Sequence, residues 1–174
     1  MKIIYSLFNL KKYVDRDFNL FLNNNEFKKF INNVEDITIK YSSLEFFKPN
    51  NLKEEQIGYR FNHLGKSLLG TNKGDWKKNW VAIGYDGIGD PIFVDFEKPN
   101  LPVFTSEHDE DEWNEKYIAI SLDNFKKILD DLRILKQKAE NGISKFEVNT
   151  FLEKTKNENK YMDVEYWKMF LDSE

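Results

Sequence analysis

The chain has no cysteine, and only two histidines and four prolines in 174 residues. The first absence removes disulfide staples, thiolate zinc sites and thiol nucleophiles together, and it fits a reducing compartment, so a cytoplasmic location is expected. The two histidines, His63 and His108, have no partner at the spacing of a two-histidine helical zinc site. None of the serines sits in a nucleophile-elbow motif, and they read better as turn and cap residues. Long hydrophobic runs are also missing. No stretch approaches the roughly 18 to 20 apolar residues of a membrane span, and the mean hydropathy is −0.66. The opening residues MKIIYSLFNLKKYVDRDF return to charge at Lys11 without a small-residue cleavage site, so no signal peptide is expected.

What is present is apolar mass. Hydrophobic residues make up 40% and aromatics 16%, with 15 Phe, 8 Tyr and 4 Trp, enough for one full core. A single domain over residues 1–174 is the simplest division, since no repeat, low-complexity tract or linker interrupts the chain. The net charge of −4 argues against general nucleic-acid binding, which rests on clustered Lys and Arg. Its distribution is uneven. Residues 86–115 hold ten carboxylates and a single base, Lys98, so this segment carries −9 and the remainder +5.

Hydrophobic periodicity places the elements. Residues 1–13 fit neither helix nor strand cleanly. Phe27, Phe30, Ile31 and Val34 mark an amphipathic helix over 26–34, with Asn25 as its cap. A strand is expected at 38–41, a turn at 47–51, a polar helix at 52–58 and an exposed loop at 65–75. Trp80–Tyr85 and Pro91–Phe96 are β-rich runs reversed by Asp86-Gly-Ile-Gly-Asp90, and Val103–Thr105 offers a third strand. After the charged loop 107–112, Trp113–Ile120 returns to the core. Ser121 caps a helix with Leu122, Phe125, Ile128, Leu129, Leu132 and Leu135 on one stripe, which Asn141-Gly142 stops. Ser144-Lys-Phe-Glu147 is a capping box for a helix presenting Phe146, Val148, Phe151 and Leu152, and a last helix covers 163–171.

Three groups of residues could carry function. Gly84, Gly87 and Gly89 lack the dinucleotide-fingerprint spacing and precede a strand rather than a helix, so a hairpin loop is expected. Asp86, Asp90 and the run His108-Asp109-Glu110-Asp111-Glu112 have oxygen ligands for a hard cation, but their spacing is not that of an EF-hand loop. A solvated recognition loop that steers a basic partner is expected instead, with no metal, no cofactor and no catalytic residue. Trp76, between Asp75 and Lys77, is the expected exposed aromatic anchor, while Trp80 and Trp113 read as core.

The order of several elements resembles the SUKH superfamily, in the branch related to the yeast cell-wall assembly regulator. They are Glu54-Glu-Gln-Ile-Gly-Tyr59, Asn79-Trp-Val-Ala-Ile-Gly-Tyr-Asp86, Gly89-Asp-Pro-Ile-Phe-Val-Asp95, Pro102-Val-Phe-Thr105 with His108, and Trp113 leading to Tyr117–Phe125. The match runs over 52–125. The usual Leu-Pro and tyrosine pattern is absent, Asp109 stands where glycine usually follows the histidine, and the helical segment 144–174 lies beyond the match. The resemblance implies an α+β fold with a mixed, mainly antiparallel sheet flanked by helices, here with a helical C-terminal extension. It also implies an immunity protein that neutralises a toxin, many such toxins being nucleases. A basic nuclease cleft would complement the acidic segment, so a protein toxin is the expected partner, and neither nucleic acid nor membrane is. The alternative is an intracellular regulatory or scaffold module, as proposed for the eukaryotic relatives.

Overall fold

The computed structural model describes residues 16–138 and 142–172; the segment 1–13 and Asn141 lie outside the described residues. Helices α1 (Arg16–Phe21) and α2 (Asn25–Asn33) come first. The cap of α2 is Asn24 rather than Asn25, its side chain accepting from the Phe27 backbone N–H at 3.0 Å. Phe27, Phe30 and Ile31 form the buried stripe of α2.

Six strands follow: β1 (Ile37–Ile39), β2 (Ser42–Phe46), β3 (Trp80–Asp86), β4 (Pro91–Asp95), β5 (Val103–Thr105) and β6 (Lys116–Ala119). Each pairs with the next, giving the order β1-β2-β3-β4-β5-β6 with every pairing antiparallel. The fold is α+β as expected, and the mixed character is confined to isolated parallel bridges, Ile57 with Phe61 and Leu69 with Trp76. The expected strand at 38–41 is a hairpin turn in its second half, where Lys40 takes a left-handed φ of 53°. The expected helix over 52–58 shrinks to a single 3-10 turn, Glu54–Gln56.

The two sheet faces bury different partners. Ala82, Phe93, Phe104 and Tyr117 are cross-strand neighbours and so share one face. Trp76 and Trp80 pack on it, with Trp76 5.0 Å from Phe93 and Trp80 4.6 Å from it by ring centroids. The other face receives three helices. Helix α3 (Leu122–Lys138) buries the six stripe residues read from the sequence, and Phe125 packs on Phe30 of α2, Phe46 of β2 and Trp167. Helix α4 (Lys145–Glu158) opens with the expected capping box, but Phe146 is exposed, and Val148, Phe151 and Thr155 are the buried stripe.

Helix α5 (Val164–Asp172) ties the C-terminal segment to the sheet rather than standing apart from it. The Trp167 indole donates to the Ile118 carbonyl at 2.9 Å, the Asp163 N–H to the Tyr117 carbonyl at 2.7 Å, and the Asn159 side chain accepts from Ile120 N–H at 3.3 Å. These bonds occupy the outer edge of β6, which otherwise presents unpaired backbone groups. Trp167 belongs to the same core as the strands and is 0% exposed. Its replacement, Trp167→Ala, is expected to cost about 3–5 kcal/mol, measured by chemical denaturation of the full chain.

Candidate partner-binding surface

An antiparallel meander sends alternate reversals to the same end. The β1–β2 turn at Lys40-Tyr41, the β3–β4 turn at 87–90 and the β5–β6 loop at 106–115 therefore lie together at one end of the sheet. The β2–β3 register sets Leu44 opposite Asp86. One step further on, a Cβ on Gly87 would meet Ser43 Oγ at 3.1 Å, so the first two turns abut.

The β3–β4 turn is locked by its own aspartates. Asp86 Oδ1 accepts from the Ile88 N–H at 3.1 Å and the Asp90 N–H at 3.0 Å, while Gly89 N–H donates to the Asp86 carbonyl at 3.0 Å. Asp90 passes the restraint to the next loop: its Oδ1 accepts the His108 backbone N–H at 2.9 Å and lies 2.8 Å from His108 Nδ1. Gly89 has φ +97°, a conformation that favours glycine, and it lies against the imidazole, which a Cβ there would meet at an ordinary 3.6 Å. From the helical side the Tyr166 hydroxyl reaches Asp86 Oδ2 at 3.5 Å.

Burial sets the protonation of this network. Desolvation raises the Asp86 carboxyl above its ordinary range, against the lowering effect of the two turn N–H groups. Desolvation beside Asp86 and Asp90 also pushes the Tyr166 phenol well above its usual value. The hydrogen bond to Asp90 raises His108 above 6.5, and about half of its side chain is exposed.

The expected contact residues separate accordingly. Asp86 and Asp90 are buried and hold the turn, so they shape the surface without forming it. Trp76 is a correction: it is 1% exposed, its indole donating to the Trp80 carbonyl at 3.0 Å. Lys77 is exposed and Asp75 half-buried, its carboxylate taken by Asn72, while the ring turns onto the aromatic sheet face. Trp80 is buried as expected, and Trp113 is half-buried against Trp76 at 5.0 Å.

The −9 segment is less acidic in space than in sequence. Lysines from outside it meet four of its carboxylates: Lys78 with Glu97, Lys116 with Glu107, Lys73 with Glu112 and Lys77 with Glu115. His108, Asp109, Glu110 and Asp111 are exposed, and among the described residues Asp109, Glu110 and Asp111 form no ion pair. Glu112 is half-buried and its pair with Lys73 is loose at 3.6 Å, a contact that solvent screens. The periodicity of the sequence gave no sign of Tyr166, nor of the exposed side chains of Tyr41 and Ile88 on the neighbouring turns.

A concavity lies elsewhere, an open groove of about 740 Å³ between α2 and α3 lined by Phe30, Val34, Leu122 and Leu129. None of the expected contact residues lines it. Among the described residues no three His, Asp or Glu side chains come together as metal ligands, and no helix is long and apolar enough to cross a membrane. Comparison with protein-family models, curated proteins and solved structures finds no match to this chain.

Two titration experiments follow from the network. A raised His108 means that the His108–Asp90 pair adds stability that is complete below the unfolded value near 6.5 and is lost as pH rises through the folded value. Following the imidazole by NMR should give a midpoint above 6.5 that falls back in Asp90→Asn; an unshifted wild-type midpoint would refute the pair. Asp86 shares this sense, stability again being lost as pH rises through a raised folded value, though the cause is burial rather than a charged partner. Its raised carboxyl makes the charged form a burden to the fold, so Asp86→Asn, which keeps the accepting oxygen, should preserve or increase the melting temperature at neutral pH. Asp86→Ala, which orphans both turn N–H groups, should lose about 1–3 kcal/mol.

Proposed function

We propose that this chain is a SUKH-type immunity protein: a cytoplasmic, stoichiometric inhibitor that docks on a basic bacterial toxin and blocks its substrate, without chemistry of its own. The observation that carries this reading is the row of exposed carboxylates without ion pairs, Asp109, Glu110 and Asp111, beside His108 at the end of the sheet. Solvated charges of one sign that no intramolecular base offsets contribute little to folding and strongly accelerate encounter with an oppositely charged surface. A nuclease toxin suits such a face best, since its cleft must be basic to hold phosphate. The motif order across residues 52–125 supports the same reading through the family resemblance.

The test is an affinity capture from the native host with the wild-type chain and with Asp109→Lys/Glu110→Lys/Asp111→Lys, followed by activity assays of the captured protein. One secreted toxin, inhibited at equal stoichiometry and bound about 10-fold more slowly by the variant at low salt, is the expected result. A varied set of host proteins would favour the regulatory module instead. An unchanged association rate at low salt would remove the acidic face from the mechanism.

A further inference from the structure

We infer that Tyr41 and Ile88, on the abutting turns beside the carboxylates, are the apolar anchors of this face, and that they seat in a hydrophobic recess rimmed by Lys and Arg on the partner protein. The neutralisation reading above supplies the nature of that partner; the anchors themselves are argued from the fold.

Tyr41 is 82% exposed and Ile88 73% exposed. Single exposed hydrophobics are ordinary on protein surfaces, and Leu20, Phe146 and Met169 are of that kind, each on a different helix. Tyr41 and Ile88 differ in being brought together by topology, through the contact of Gly87 with Ser43. Neither is asked for by its turn. Ile88 is the third residue of the Asp86–Gly89 turn, a position that Asp, Asn, Ser or Gly fills more readily. Tyr41 follows Lys40, whose φ of 53° suits Gly or Asn. A polar pair would serve the fold at least as well, so the apolar choice is left for another surface to explain.

The backbone of the Ile88 anchor is also held before any partner arrives. It is fixed by the two hydrogen bonds that Asp86 Oδ1 accepts and by the His108–Asp90 contact. Little conformational freedom is then lost on docking, and a fixed aromatic or aliphatic anchor inside a polar rim is the usual form of a binding hot spot.

Charge selects the occupant. Phosphate is repelled by Asp109, Glu110 and Asp111, which sets nucleic acid aside. A second copy of the chain joined by a two-fold axis through this face would oppose the same three carboxylates to one another. A protein whose recess is rimmed by basic side chains meets both the apolar pair and the carboxylates.

The experiment places a photo-crosslinking p-benzoylphenylalanine at Tyr41, at Ile88 and, as a control on the opposite end of the sheet, at Asn100 in the full chain. Each is exposed to native-host lysate, and captured proteins are identified by mass spectrometry. The expected result is one basic protein labelled from positions 41 and 88 but not 100. Once purified, that protein should bind Tyr41→Ser/Ile88→Ser about 30-fold more weakly than wild type, with the variant's melting temperature unchanged. Labelling of a basic partner from 100 but not from 41 or 88, or undiminished affinity of the double variant, overturns the anchors and leaves neutralisation standing. A partner captured at 41 and 88 that is no toxin supports the anchors and removes the immunity reading. Absence of any captured protein from all three positions removes both.

Discussion

The fold depends on how the backbone of β3 is satisfied. This strand is buried at six of its seven positions, yet β2 pairs with it only at Gly84–Asp86. The Phe47 N–H extends the contact to the Ile83 carbonyl, and below that point no strand of the described residues pairs on that side. Two side chains take its place. The Gln56 amide both donates to the Ala82 carbonyl at 2.9 Å and accepts its N–H at 3.1 Å, as a strand residue would. Arg60 donates to the Lys78 and Trp80 carbonyls at 2.7 Å each. Without Gln56 the Ala82 N–H and carbonyl would be orphaned in a dry interior, each costing about 1–3 kcal/mol, whereas the Trp80 carbonyl is shared by Arg60 and the Trp76 indole. The same contacts pin the 52–61 segment, which in turn lays Tyr59 over Trp76 and closes the aromatic face.

From that anchored strand the end of the sheet inherits its shape. Asp86 is the last residue of β3, and its carboxylate organises the turn that carries Ile88. Asp90 opens the return and holds the His108 loop. Two carboxylates are thus spent inside the structure to set the position of three outside it. The charge that sequence alone distributes over thirty residues is sorted by burial into an internal scaffold, a set of lysine-paired rim residues and a short free row.

Much of this was readable in the sequence where local chemistry and tertiary packing agree. The stripe of α3, the capping box of α4 and the Gly-rich reversal between β3 and β4 each follow from short-range rules, and the structure contains them. The failures have equally physical causes. The β1–β2 hairpin was hidden because Lys40-Tyr41 has none of the residues that announce a turn, so the strand was carried on to 41 and β2 was not read. Trp76 was misplaced because its flanking charges describe the backbone's exposure and say nothing of where the ring points. Phe146 looked like core by proximity to Val148, whereas the stripe begins at Val148, and two residues along a helix face opposite ways. Asp86 meets the Tyr166 hydroxyl from eighty residues away in sequence, and no window could join them.

The meander has an evolutionary corollary. Side chains that set register and fill the core lie on strands and helices, whereas Tyr41, Ile88 and Asp109–Asp111 occupy reversals that all open on one end. Substitution at these tips leaves the strand register and the buried core unchanged, so the surface at this end can vary while the scaffold stays constant. Variation concentrated at those few codons, set against constancy at Gln56, Arg60, Asp86 and Trp167, is the signature such a history would write.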